Sequence, residues 1–173
     1  KGFRAGPQAV QLLADHLGSD LSKIVNEISK LFINLKKGEE ITPSVIEQQI
    51  GISKDYNVFE FRQAIGSKNE PKAQKIAWYF GENLKANPLV FTLSALFQYF
   101  NQILVLHSLK DKSKRNIAES LGIPPFFTED YIRAASNYPG TKAARAISLI
   151  RQYDLKGKGM DNESVGGGEL LKE

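Results

Sequence analysis

The sequence contains no cysteine, one methionine, one tryptophan and two histidines. Without cysteine there can be no disulfide and no thiolate-ligated zinc, and nothing points to an oxidising compartment. His16 and His107 fall on separate predicted helices with no H-x-x-x-H or H-E-x-x-H spacing, so both read as structural and neither as half of a metal pair. The G-x-x-x-x-G-K-[ST] phosphate loop is also missing. Lys158 lies between two glycines, but no strand precedes it and no Ser or Thr follows directly. Gly166-Gly167-Gly168 reads as a flexible connector rather than an anion-binding nest. No serine stands in a nucleophile elbow, and the acid pairs Glu39-Glu40 and Glu129-Asp130 lack the apolar flanks that would raise a carboxyl pKa. The expectation is no catalytic residue, no metal ligand and no cofactor, hence no enzyme in this chain by itself. The start Lys1-Gly2-Phe3-Arg4 has no signal-peptide run. The longest apolar region, Leu89 to Leu106, is broken by Thr92, Ser94, Gln98, Asn101 and Gln102. A cytoplasmic protein with no membrane partner is the reading that follows.

What is present is ordinary material for a globular core: 42% hydrophobic residues, with ten Phe and six Tyr among 173. Twenty-three basic against 19 acidic residues leave a net charge of +4, mild for a dedicated nucleic-acid binder. Only Lys110 to Arg115 is locally basic, and a solvated loop explains it.

Apolar residues recur at three- and four-residue spacing almost throughout, and no segment alternates as a half-buried strand would. The fold class is therefore all-α. Pro7 starts a first helix that Gly18 ends; Asp20 caps a second whose stripe runs Leu21, Ile24, Val25, Ile28, Leu31, Phe32, Leu35 and closes at Gly38. Thr42-Pro43 opens a third, stopping near Gly51. Ser53-Lys54-Asp55-Tyr56 reads as a linker, after which Asn57 and Glu60 have capping-box spacing. Val58, Phe61 and Ile65 share the next face, and Ile76, Ala77, Phe80 and Leu84 mark a helix over 71–84. Asn87-Pro88 opens the longest, near 88–109, apolar on more than one face and so placed centrally. Two more helices follow at about 125–137 and 140–155, and Gly157, Gly159 and the triple glycine flank a polar loop. Glu169-Leu170-Leu171-Lys172 begins another helical pattern as the sequence stops, so a fragment cut at both ends is expected.

One stretch has the look of a DNA reader. Asn116 to Pro125 resembles the first half of a helix-turn-helix, with basic residues just before it. The following helix opens Phe126-Phe127-Thr128-Glu129-Asp130, aromatic and acidic where a recognition helix offers polar and basic groups. A helical hairpin packing both phenylalanines into a core accounts for the same residues. The alternative function is accordingly a DNA-binding regulator using residues 112–133, with Lys112, Lys114 and Arg115 as its candidate contacts.

Several motifs in order resemble one family. Leu17-Gly18-Ser19-Asp20-Leu21 and Asn26-Glu27-Ile28-Ser29-Lys30-Leu31 are similar to the "G-x-D-L…N-E-x-x-K-L" helix of the delta subunit of the bacterial DNA polymerase III clamp loader. Asn57-Val58-Phe59-Glu60-Phe61 with Ala64-Ile65 resembles that family's "N-V-F-E-L…A-I". The long helix with Phe97, Phe100 and Leu104 follows, then Ile117-Ala118, Leu121-Gly122-Ile123 and Pro125-Phe126-Phe127. Tyr153-Asp154-Leu155-Lys156-Gly157 matches "A-D-x-x-x-K-G" only approximately, with a shorter spacing and Tyr for Ala. The resemblance implies a small three-helix lid bundle of the AAA+ type over residues 1–54, then a helical collar domain over 55–173 that joins loader subunits. It implies a non-catalytic subunit of a DNA-directed DNA polymerase holoenzyme that helps place the sliding clamp on primed DNA. Its partners would be the ATPase subunits and delta-prime, with DNA met through the assembled complex. The clamp would be met through an N-terminal domain absent from this sequence. Delta does not hydrolyse ATP in that family, which agrees with the missing phosphate loop.

A collar needs helix faces left apolar after the domain core is filled. Phe91, Phe97, Tyr99, Phe100 and Leu104 are the candidate subunit-interface residues, because aromatics so spaced cannot all point inward at 3.6 residues per turn. A central core helix would look the same, and a split between core and interface satisfies both readings.

Overall fold

The computed structural model describes residues 2–17, 21–36, 38–53, 56–160 and 165–172. Among these the fold is all-α. The elements are β1 (Arg4–Ala5), α1 (Pro7–Leu17), α2 (Leu21–Asn34), β2 (Glu40–Ile41), α3 (Pro43–Ile50), α4 (Val58–Gly66), α5 (Glu70–Glu82), α6 (Leu89–Ser108), α7 (Lys114–Leu121), a 3-10 turn (Pro125–Phe127), α8 (Thr128–Asn137), α9 (Gly140–Gly157) and α10 (Gly167–Leu170). Two compact units divide the chain, Lys1–Glu60 and Phe61–Glu173. Gly18 and Asp20, read as helix terminator and cap, lie outside the described residues, as do Lys54 and Asp55 of the linker and residues 161–164 of the polar loop.

In the first unit Thr42 caps α3, its Oγ1 accepting from the Val45 amide at 3.3 Å, and Gly51 ends the helix at φ 83°. Ala9, Leu12, Leu31, Ile41, Ile46 and Ile52 form the core. Phe3 stacks on Phe32 at 4.7 Å, which seats the parallel pairing Arg4↔Glu40 and Ala5↔Ile41. The apolar stripe of α2 is only partly buried: Leu31 is inside, whereas Leu21 and Val25 are 76% and 61% exposed. Length explains this. The eight residues of α3 span about 12 Å against about 21 Å for the 14 of α2. The Asn34–Gln49 bond of 2.5 Å sets the two C-terminal ends side by side.

The second unit is built round α6. Asn57, still within the first unit, starts α4, its Oδ1 accepting from the Glu60 amide at 3.0 Å. Lys68, at φ 56°, closes α4 in a Schellman arrangement, with Asn69 N–H reaching Ala64 C=O at 2.8 Å and Lys68 N–H reaching Ile65 C=O at 2.9 Å. Asn69 then caps α5, its Oδ1 accepting from the Lys72 amide at 3.2 Å. From the end of α8, Asn137 Nδ2 and Tyr138 Oη donate to the carbonyls of Gly66 and Ile65, at 2.9 and 3.0 Å. The first satisfies an acceptor that the helix end leaves open, and the second adds to the bond Ile65 already takes from Lys68. Phe61 meets Phe80 edge-on at 5.6 Å, and Phe100 meets Tyr138 likewise at 5.2 Å.

Length and composition alone qualify α6 to cross a bilayer, so its polar interruptions do not rule that out as read from sequence. One side of it packs into the core of the second unit and another stays exposed. Leu93, Leu96, Tyr99, Phe100, Ile103 and Leu106 are buried. Gln102 donates from Nε2 to the Leu121 carbonyl at 2.8 Å and accepts from Tyr131 Oη at 2.7 Å. The helix α9 runs antiparallel beside it. Gly157 lies against Leu89 at the start of α6, and His107 Nε2 donates to the Tyr138 carbonyl, 2.9 Å, near its end.

The triple glycine is not a simple connector. Gly167 and Gly168 open α10, and a Cβ on Gly81 would lie 2.6 Å from the Gly168 carbonyl oxygen. Only glycine lets the two backbones approach so closely. Leu170 then buries beside Leu89 and Leu93, and Lys172 bridges Glu82 at 2.8 Å and Glu169 at 2.9 Å.

Candidate subunit interface

At 100° per residue, Val90, Ser94, Phe97, Asn101 and Val105 fall on one side of α6, while Tyr99 and Phe100 turn away. The structure separates the five aromatic and aliphatic candidates accordingly. Phe91 is 71% exposed, Phe97 is 46% exposed, and Leu104 is half-buried. Tyr99 and Phe100 are core residues, each 4% exposed, packed on Tyr131 at 5.1 Å and Tyr138 at 5.2 Å. Buried ring packing removes these two from a surface role. The open face also includes Val90 and Val105, which the sequence reading missed. A search for apolar residues seven apart on α6, Val90 with Phe97, would have found the first of them.

Between α6 and α9 runs a groove of 570 Å³. Val90, Leu93 and Phe97 line one wall; Ile147 and Ile150 line the other. Arg151 and the Asp154–Lys158 ion pair, 2.6 Å, stand at its rim. An apolar centre with a charged edge is the anatomy of a protein–protein contact.

The helix-turn-helix candidate forms a hairpin of α7 and α8, with Gly122 at φ 63° ending α7. Phe127 is buried but Phe126 is 59% exposed, so one phenylalanine enters the core rather than two. The 3-10 turn spaces these neighbours 120° apart, which sends them to different sides. Lys112, Lys114 and Arg115 are all exposed. Lys114 Nζ pairs with Glu129 at 2.5 Å, and Arg115 Nε pairs with Glu119 at 2.9 Å. The hydrogen bond and charge of Lys114 hold the Glu129 carboxyl below its usual range. Two of the three cations are thus answered by acids on the same hairpin.

No protein-family model and no curated protein matches the sequence. Among solved structures, the chain is similar to the Bacillus subtilis DNA clamp loader delta protein (YqeN), with a TM-score of 0.61 at 20% identity. The match covers 99% of this chain and 50% of that one, so this chain spans half the length of its structural neighbour. The likeness is one of fold.

Proposed function

We propose that the chain is the helical part of a clamp-loader delta subunit, a scaffold without catalysis of its own in the assembly that places the sliding clamp on primed DNA. The observation that carries this reading is the fold likeness to a clamp loader delta protein across 99% of the chain. The exposed apolar side of α6 supports it, because a ring of subunits needs such faces. Residues 1–54 act as the lid and residues 55–173 as the collar. The partners are the ATPase subunits and delta-prime, met in the cytoplasm. The sliding clamp is reached through a part of the subunit outside this sequence, and DNA through the assembled complex. Lys112, Lys114 and Arg115 are the residues we assign to any DNA contact.

Light-scattering mass determination of the chain mixed with those subunits from the same organism tests the assignment. A mixed complex that persists at high salt is expected. Replacing Phe91 and Phe97 together by Ser should weaken it by about 1–2 kcal/mol per ring. Folding stability should move by no more than about 0.5 kcal/mol at Phe91, which is 71% exposed, and by about 1 kcal/mol at Phe97, which is just over half buried. Failure of the folded wild-type chain to associate would overturn the assignment.

A further inference from the structure

Independently of that reading, a smaller cavity of 120 Å³ opens where the end of α4, the start of α5 and the side of α8 meet. It is polar, with Gln63, Asn69, Lys72, Tyr99, Asp130 and Arg133 around it. Tyr99 is the residue that calls for an explanation. It is 4% exposed, yet its hydroxyl makes no hydrogen bond among the described residues, whereas Tyr131 and Tyr138 both donate theirs. The hydroxyl is the only polar atom this side chain brings to the cavity wall. Space is kept for it: Gly66 lacks the Cβ that would collide with that oxygen. The hydroxyl opens onto the cavity, so its partner is whatever occupies that space.

The surrounding groups say what that partner is. Lys72 and Arg133 against Asp130 give the cavity one net positive charge. Asp130 is engaged, its Oδ2 accepting from Gln63 Nε2 at 2.9 Å. Asn69 uses its Oδ1 as the cap of α5, so its amide nitrogen is the end left to donate. The Arg133 guanidinium makes no ion pair or hydrogen bond among the described residues. The 13-residue α5 points its N-terminal dipole at the same place. Burial raises the Tyr99 pKa above the ordinary tyrosine value, which keeps its hydroxyl a donor. Room for several waters is ample for one tetrahedral ion.

We propose that this cavity binds a small oxyanion of the phosphate class, held by the Tyr99 hydroxyl, the Asn69 amide, Lys72 and Arg133. The test titrates inorganic phosphate into the full chain at constant ionic strength, with chloride as the control. Amide NMR shifts at residues 69–73 provide the readout. Saturable shifts with phosphate but not chloride are expected. Arg133→Gln and Tyr99→Phe should each weaken binding about ten-fold, the value of one hydrogen bond to a charged group. Both variants should keep wild-type spectra elsewhere, since Arg133 is exposed and the Tyr99 ring packing does not involve its hydroxyl. Shifts that fail to saturate, that chloride reproduces, or that both variants leave unchanged would overturn the proposal.

Discussion

Tyr99, Tyr131 and Tyr138 share one aromatic cluster but differ in what their hydroxyls meet. Tyr131 donates to Gln102 and Tyr138 to Ile65, while Tyr99 depends on the cavity. Burial is the largest cause raising the Tyr99 pKa; Tyr131, Asp130 and Tyr138 add to it and Arg62 opposes. Tyr138 is also raised, first by burial and then by Glu70. The native chain therefore holds these protons to higher pH than the unfolded chain, whose tyrosines titrate at about pH 10. Their stabilising contribution is complete below that value and is lost as pH climbs through the raised folded values. Urea midpoints should fall from about pH 10 upward, more shallowly in Tyr99→Phe than in wild type. Equal slopes in a pH series of denaturation curves would mean Tyr99 is not a linked group. The sequence named Tyr99 and Phe100 among interface candidates because adjacent aromatics look alike on paper. Their burial depends on where α8 and α9 lie, which periodicity on α6 alone does not specify.

Among the elements, those with local chemistry at their ends were readable. Thr42-Pro43 and Gly51 delimit α3, and Pro71 marks the start of α5, because caps and prolines act within a single turn. The β1–β2 pairing was not readable, since two residues are too few to show alternation. Nor was α10: four residues beginning with two glycines read as loop, and their helix exists through contact with α5. Gly81→Ala measures that contact. In an isolated helix the change would add about 1 kcal/mol through propensity. Here the new methyl would meet the Gly168 carbonyl oxygen at 2.6 Å and Lys172 Cε at 2.9 Å. The lysine tip can move, but the backbone oxygen moves only with α10. Undocking also exposes Leu170, worth roughly 1.5–3 kcal/mol of burial. Clash should outweigh propensity. Hydrogen exchange should show amides 167–171 losing protection while α5 keeps its own. Unchanged protection with a stability gain would show that the glycine contact does not hold α10 in place.

For the whole molecule, the all-α class was legible because helical spacing persists through nearly every segment, whereas binding depends on which charges stay uncompensated after folding. A net charge of +4 attracts polyanions weakly at any approach, so DNA retention by itself would not identify a contact. Salt dependence would. If Lys112, Lys114 and Arg115 each neutralise one phosphate, log K should fall with log salt at a slope of about −2.7, or roughly forty-fold for a four-fold rise in salt. Lys114 and Arg115 must first leave Glu129 and Glu119, so the measured slope should be steep while the affinity stays low. Association with partner proteins through the apolar side of α6 should barely respond to the same change. The triple variant Lys112→Gln, Lys114→Gln, Arg115→Gln separates these two modes, because all three side chains are exposed and none enters the core. It should flatten the DNA slope and leave the mixed protein complex intact in light scattering. A variant with unaltered DNA slope would remove this hairpin from any nucleic-acid contact. One that lost the protein complex instead would move the subunit interface from α6 to the α7–α8 hairpin.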